Sequence, residues 1–347
     1  MSLNRPEPVM ATNVHALTAE VPVPQAVRWL EEGRTVEVVS SYGHGADVLD
    51  ALYDRMSRPS GDYAQRTQAE QRFRSTAHKL VVRIDDHAVA LPNVESIGFL
   101  SELYAELGTY HLPLIEVQSL HGAWRTYQAG VHLAVLGHRL HPYFGTYVPS
   151  RTTHLELFAT WLSGFEGSRD VAVDVGTGSG VLAFMMARQG VGSVIATDVN
   201  ANAAHSVRLD CGRLPELPAI DVRVGDLLEP VMETADLIVF NPPWTAGMPT
   251  GLVSQALTFP EGLFERFFDQ ALSRLAPDGR VVLVFSNLIT LVQPDVPHPI
   301  EAELARGRFR LVNKLTRKVK PVPGPDGRKR RTKEKVEVWE LARADGA

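Results

Sequence analysis

Cysteine is nearly absent: Cys211 is the only one in 347 residues. An internal disulfide and a cysteine-rich zinc cluster are excluded on that ground alone. The thiol falls in a predicted helix over 201–213, where a buried, inert side chain is expected. No apolar stretch approaches the ~20 residues that a membrane-spanning helix requires. The first residues also lack the basic-then-apolar pattern of a leader, so a cytoplasmic chain that engages no membrane is expected. Aromatics make up only 7%, and the net charge of −5 is too small to dictate a partner. Internal repeats are missing too. What remains is an ordinary globular composition, 44% hydrophobic and 22% charged, in a chain long enough to bury two cores. Nothing in it specifies an oligomeric state.

Against that background one block, residues 170–244, stands out. It begins Val-Ala-Val-Asp-Val at 171–175, an apolar run holding Asp174, and passes at once into Gly176, Thr177, Gly178 and Gly180. This reads as a strand turning into a helix through glycines that allow a ligand close to the backbone. A nicotinamide fingerprint would need its third glycine one place later, where Val181 stands. Two further runs end in acids, at Asp198 and at Asp226 followed by Leu227. A last run over 237–240 leads into Asn241-Pro242-Pro243-Trp244. An acid at one strand end also suits a helix cap or a loop, and a Pro-rich turn over a packed aromatic is commonplace. Four such features in this order, each closing a strand, point instead to the carboxyl-end ligand crevice of an open α/β sheet.

The block resembles the class I S-adenosylmethionine (SAM)-dependent methyltransferases, in the small-domain branch whose Asn-Pro-Pro-aromatic motif serves N-methylation. It is similar there to protein-glutamine and rRNA or tRNA N-methyltransferases. The resemblance spans about residues 146–345. It implies a doubly wound, seven-stranded, Rossmann-like α/β domain over 148–347. Residues 1–145 carry no such resemblance; their own pattern reads as a flexible arm over 1–24, either loose or wrapped on the body, and a smaller α+β domain over 25–147. The resemblance also implies SAM as cofactor. The Gly176–Gly180 loop with Asp174 and Thr177 would hold the amino-acid end, Asp198 the ribose hydroxyls, and Asp226 with Leu227 the adenine.

Asn241, Pro242, Pro243 and Trp244 are the candidate catalytic residues. An amide, guanidine or exocyclic amine nitrogen is a poor nucleophile because its lone pair is delocalised. The Asn241 side-chain oxygen, which also borders the cofactor, and the Pro242 carbonyl could accept its two N–H protons and hold it in line with the methyl. The prolines stiffen the loop, and Trp244 offers a flat face for a planar acceptor. Upstream, Pro149, Arg151, Thr152 and Thr153 partly resemble a Pro-Arg-x-x-Thr-Glu-like segment, with His154 in place of the acid. That likeness implies a cofactor-flanking role for Arg151 and Thr152; an N-cap opening a helix over 155–162 is the equal alternative.

In the N-terminal part, 25–32, 46–56 and 95–107 show helical spacing, 79–91 reads as a hairpin turning at Asp85-Asp86, and Gly43-His44-Gly45 reads as a turn. The domain join is expected near 142–149. Five histidines between 111 and 141 (His111, His121, His132, His138, His141) are spaced too irregularly for a metal site, and none is assigned. In the core, 261–275 reads as a helix closed by Pro277-Asp278-Gly279, with the fifth strand over 280–286. The chain ends in a predicted hairpin of 309–320 with 335–342. Between Lys314 and Lys335 lie ten Lys or Arg and two acids, a local +8 that leaves the remainder near −13. That segregation favours a macromolecular methyl acceptor, RNA or protein, with Arg328, Lys329, Arg330 and Arg331 as phosphate contacts, against a solvated hairpin tip. The other readings are a small-molecule amine or guanidine N-methyltransferase, and a SAM-binding chain without turnover.

Overall fold

The computed structural model describes residues 2–56, 63–248, 255–323, 329–330 and 333–344. The chain divides into two compact units whose boundary in sequence falls between Thr126 and Tyr127.

The first unit carries a five-stranded sheet. His15–Leu17, Val36–Val38 and Leu80–Asp85 run parallel, while Ala88–Val89 and Thr109–Pro113 flank Leu80–Asp85 antiparallel. Helices Val23–Glu31, Tyr42–Met56, Tyr63–Ala77 and Leu114–Ala129 accompany it. The arm takes its wrapped rather than its loose form. The Tyr104 hydroxyl donates to the Pro6 carbonyl at 2.6 Å, the Val9 amide donates to His111 O at 2.9 Å, and Arg5 pairs with Glu106. Gly43-His44-Gly45 is not a turn but the opening of the helix Tyr42–Met56. A Cβ at Gly45 would sit 2.6 Å from Leu114 Cδ2 and 2.9 Å from Val38 Cγ2, so this glycine serves close helix packing instead of reversal. Only Phe99–Leu103 of the expected 95–107 helix forms. The 79–91 hairpin is present, turning through Asp86 and His87 at φ +46° and +61°.

The second unit opens with a small hairpin, Val131–Leu133 against His138–Leu140, and continues into helix α1 (Thr153–Gly164). Its sheet is built from β1 (Val171–Val175), β2 (Ser193–Asp198), β3 (Ile220–Val224), β4 (Ala235–Phe240), β5 (Leu275–Ser286), β6 (Phe309–Lys318) and β7 (Lys335–Arg343). The spatial order is β3-β2-β1-β4-β5-β7-β6, with β7 alone antiparallel to its neighbours. Central parallel strands are buried on both faces and so read as continuous apolar runs. Alternate side chains feed two clusters: Ala172, Leu237, Val239 and Val282 on one face, Val173, Ile238, Phe240 and Val281 on the other. Helices α2 (Val181–Arg188) and α3 (Ala201–Arg213) follow β1 and β2. The fifth strand starts at Leu275, earlier than expected: Ala235 faces Leu275 and Leu237 faces Arg280, so residues 276–279 bulge out of the ladder.

The join lies upstream of the expected 142–149 stretch. Segment 141–147 is tied to α3 within the second unit, where the amides of His141 and Tyr143 donate to Asp210 Oδ2 and Ser206 Oγ, both at 2.9 Å. From β1 the chain runs outward to β3 and then returns to β4 on the other side. The resulting crevice opens at the carboxyl ends of β1 and β4, where an open α/β sheet takes its ligands.

Candidate functional site

The glycine loop stands at the end of β1. Gly180 caps α2 with φ +80°, and a Cβ there would meet Phe184 at 2.8 Å and Val207 at 2.9 Å. Only glycine satisfies both the backbone and the packing. Below it Asp174, 1% exposed, accepts the Thr177 hydroxyl at 2.6 Å and the Ala183 amide at 3.0 Å, binding the loop to α2. Burial pushes its carboxyl up to about 7, opposed in part by those two donors. The folded chain therefore holds this proton up to about pH 7, whereas the unfolded carboxyl releases it near 3.8. Its contribution to stability is complete below the lower value and is lost as pH rises through the higher one. Denaturant unfolding of wild type and Asp174→Asn should show their stability difference declining across that window and flat above it. A difference constant with pH would refute the assignment.

Asp198 closes β2 and joins two loops. Its Oδ2 accepts the Gly178 amide and its Oδ1 the Asn200 amide, each at 2.8 Å. Burial raises its carboxyl from the ordinary value against those two donors. Asn200 then caps α3 by accepting the Asn202 amide at 3.0 Å. The third acid, Asp226, pairs with Arg266 at 3.3 Å. Leu227 beside it holds φ +51°, and its carbonyl accepts the Thr197 hydroxyl at 2.7 Å. A leucine in the left-handed region costs about 1–3 kcal/mol, and such strain gathers at binding sites.

These groups line one cavity of about 300 Å³. Asp174, Gly176, Thr177, Gly178, Asp198, Asp226, Leu227, Asn241 and Pro243 all reach it. Gly180 shapes the loop from behind. A second cavity of about 420 Å³ is lined by Arg151, Thr153, His154, Asn241, Pro242, Trp244 and Glu334. Asn241, Tyr147 and Ala256 border both. The motif thus straddles the two chambers, with Pro243 turned to the first and Pro242 and Trp244 to the second. Trp244 packs on the apolar clusters of both sheet faces, and its indole N–H donates to Asn241 Oδ1 at 3.2 Å.

Arg151 and Thr152 are not brought to the first cavity. Arg151 faces the second, its Nη1 3.9 Å from the buried Glu334 carboxylate. Thr152 precedes α1 at the cap position, but its hydroxyl donates to Glu156 at 2.9 Å instead of capping the helix. Two residues of the second cavity were given no role by sequence reading. Glu334 comes from the root of the β6–β7 hairpin, where Val319 N donates to its carbonyl at 3.0 Å. His154 is 4% exposed, lies edge-on to Trp244 with centroids 5.3 Å apart, and is held neutral by burial, its value lowered to about 4. No short motif marks either; long-range pairing brings them in.

The five histidines do not gather. His111 and His121 sit in the first unit, paired with Glu37 and Glu95; in the second, His132 is exposed on the small hairpin, His138 faces Glu216 and His141 contacts Tyr127 O. Among the described residues no group of three potential ligands could hold a metal ion, and no helix is long and apolar enough to cross a membrane. The Cys211 thiol is half-buried, not enclosed, and burial raises its titration. Of the basic hairpin, Lys314 is engaged with Glu337 and the Trp339 ring, and Arg317 with Glu156. Lys318, Lys320, Lys333 and Lys335 are exposed. Arg328 and Arg331 lie outside the described residues, as do the side chains of Lys329 and Arg330.

Residues 156–294 match the sequence model of the family described as Methyltransferase small domain. A ribosomal protein L11 methyltransferase of Lacticaseibacillus paracasei is 38% identical over 99 residues, 28% of this chain and 30% of its own length. Methyltransferase HEMK2 of Mus musculus is 32% identical over 141 residues, 38% of this chain and 64% of its own. The chain therefore spans less than two thirds of the length of these relatives. A solved ribosomal protein L11 methylase of Lactobacillus delbrueckii subsp. bulgaricus is 24% identical, with a TM-score of 0.40 over 57% of this chain and 81% of that one. The matched stretch takes in the glycine loop, the three acids and the Asn-Pro-Pro-Trp motif.

Proposed function

We propose that the chain is a SAM-dependent N-methyltransferase acting in the cytoplasm on a planar nitrogen of a macromolecule, RNA or protein. The observation that carries this reading is the place of Asn241 on the wall shared by two adjoining cavities. A donor and an acceptor can then be held in adjoining chambers, with Asn241 facing both.

The chemistry of the first cavity fits SAM. The acids at Asp174, Asp198 and Asp226 suit a ligand with an amino-acid end, a ribose diol and an adenine amine, the glycine loop leaves room beside the backbone, and Leu227 and Phe240 supply apolar faces for a purine. Asp174 and the loop would hold the amino-acid end, Asp198 the ribose, and Asp226 with Leu227 the adenine. Bound there, SAM supplies an electrophilic methyl on sulfur. The chain contributes position and charge. Asn241 Oδ1 and the Pro242 carbonyl accept N–H protons of the incoming nitrogen and favour positive charge as it develops there. Two consecutive prolines restrict the carbonyl's movement. Asn241 and Pro242 would hold the acceptor nitrogen as it takes up the methyl that SAM would supply; its proton could leave afterwards, so no base of the chain need act before transfer.

A macromolecular acceptor is favoured by the exposed lysines at the root of the β6–β7 hairpin and by relatives named for a ribosomal protein. The first unit would then help recognise it. The test is methyl-labelled SAM added to fractionated lysate of the source cell, with RNA, protein and small-molecule pools counted separately. Label in RNA or protein, absent with Asn241→Ala, is expected. Label confined to small molecules would overturn the macromolecular acceptor, and no Asn241-dependent label in any pool would overturn methyl transfer itself.

A further inference from the structure

The aromatic residue of the motif has a second feature besides its ring face. Trp244 Nε1 donates a hydrogen bond of 3.2 Å to Asn241 Oδ1 from three residues away. Of the large aromatic side chains Phe, Tyr and Trp, indole alone carries a ring N–H: phenylalanine has no donor, and the tyrosine hydroxyl sits at the far tip of its ring. The ring itself is well held. It packs on the apolar clusters of both sheet faces and meets His154 edge-on, with an interplanar angle of 88°. His154 is buried, and burial keeps it neutral, so the contact carries no charge that would swing with pH near 7.

An amide side chain on a loop rotates readily and can present either its oxygen or its NH2 group to a neighbour. Presenting the NH2 group to an acceptor N–H would reverse the interaction. A donor fixed against Oδ1 selects the orientation in which oxygen faces the shared wall. A carbonyl oxygen has two lone pairs; the indole takes one and leaves one for the acceptor nitrogen. With the Pro242 carbonyl, that matches a nitrogen bringing two N–H bonds.

We propose that Trp244 is a positioning residue, its indole N–H locking the Asn241 side chain with one oxygen lone pair turned to the methyl acceptor. This rests on the reading of Asn241 given above. Trp244 thereby acts through Asn241 in addition to offering a wall to the acceptor.

Two measurements test it. In protein labelled with 15N-tryptophan, the chain's five indole N–H signals are compared with those of Trp244→Phe, whose missing signal identifies Trp244. Asn241→Ala should shift that signal upfield and speed its exchange with water. An unmoved signal would overturn the hydrogen bond, and no acceptor is needed to see it. In methyl transfer from labelled SAM to the RNA or protein pool, Trp244→Phe should lower kcat about ten- to hundredfold, with KM and the SAM Kd changed less than about twofold. In an Asn241→Ala background the same substitution should add nothing, since a residue acting through another shows no independent effect. Equal kcat for Trp244→Phe and wild type, or full additivity with Asn241→Ala, would overturn the positioning role while leaving the proposed methyl transfer intact. Absence of transfer by the wild type, with the indole signal shifting as expected, would sink the proposed function and retain the hydrogen bond.

Discussion

Asn241→Ala should lower methyl transfer by about 10²–10³-fold, the usual loss when one preorganised polar contact to a developing charge is removed, while SAM binding changes only a few-fold. The asymmetry follows from the two chambers. Asn241 borders both, but the first cavity keeps Asp174, Asp198, Asp226 and the glycine loop when the amide is gone. The second loses the group that faces its acceptor from the shared wall. Calorimetric titration with SAM and single-turnover transfer to the labelled pool would separate the two effects. Near-normal turnover would mean that the nitrogen is held by other groups, and a collapse of SAM affinity would reassign Asn241 to the cofactor alone.

Asp198→Ala should produce the reverse pattern: SAM affinity weaker by about a hundredfold, with kcat largely restored at saturating SAM. Hydrogen bonds to a charged group contribute about 1.5–3 kcal/mol each, and this carboxylate already holds the Gly178 and Asn200 amides. Its loss removes a ligand contact and also frees the loop that shapes the pocket. Burial raises the Asp198 carboxyl, so wild-type SAM affinity should fall on acidification at a higher pH than an ordinary aspartate would impose. Binding isotherms across the acidic range test both statements. Affinity that is unchanged in Asp198→Ala would remove Asp198 from the site.

The parts of the molecule legible in the sequence are those whose signals are local. Val171–Val175 is apolar because a central parallel strand is buried on both faces, and Gly180 stands where the backbone is left-handed and crowded. Helix Ala201–Arg213 falls where its pattern and its Asn200 cap place it. The first unit was harder to read. Helix Tyr63–Ala77 has a polar, weakly periodic sequence, Thr109–Pro113 is a strand only by its pairing with Leu80–Asp85, and Gly45 is explained by the proximity of Val38 and Leu114. The second cavity was only half legible. Its motif is contiguous, but Glu334 and Val336 arrive from the far end of the chain through β7, and the neutrality of His154 depends on burial that no pattern announces. Nor does the sequence show that, of the hairpin's charges, Lys314 and Arg317 are paired with neighbours inside the unit.

The stretch from His141 to Tyr147 forms part of the first cavity's wall, through Gly145 and Tyr147, yet pairs with no strand. Four of its backbone groups are met by side chains of a single helix and its cap: Asp210 and Ser206 accept from it, and Asn200 and Asn202 donate to the carbonyls of Gly145 and Phe144 at 2.9 and 2.8 Å. Lifting this wall would break no bond of the sheet ladder but would expose the buried Tyr143 and Phe144 rings, so its opening free energy is expected to differ from that of global unfolding. Its amides should therefore exchange in a separate class from those of β1 and β4, and a ligand in the first cavity should slow that class selectively; uniform protection on ligand addition would contradict this.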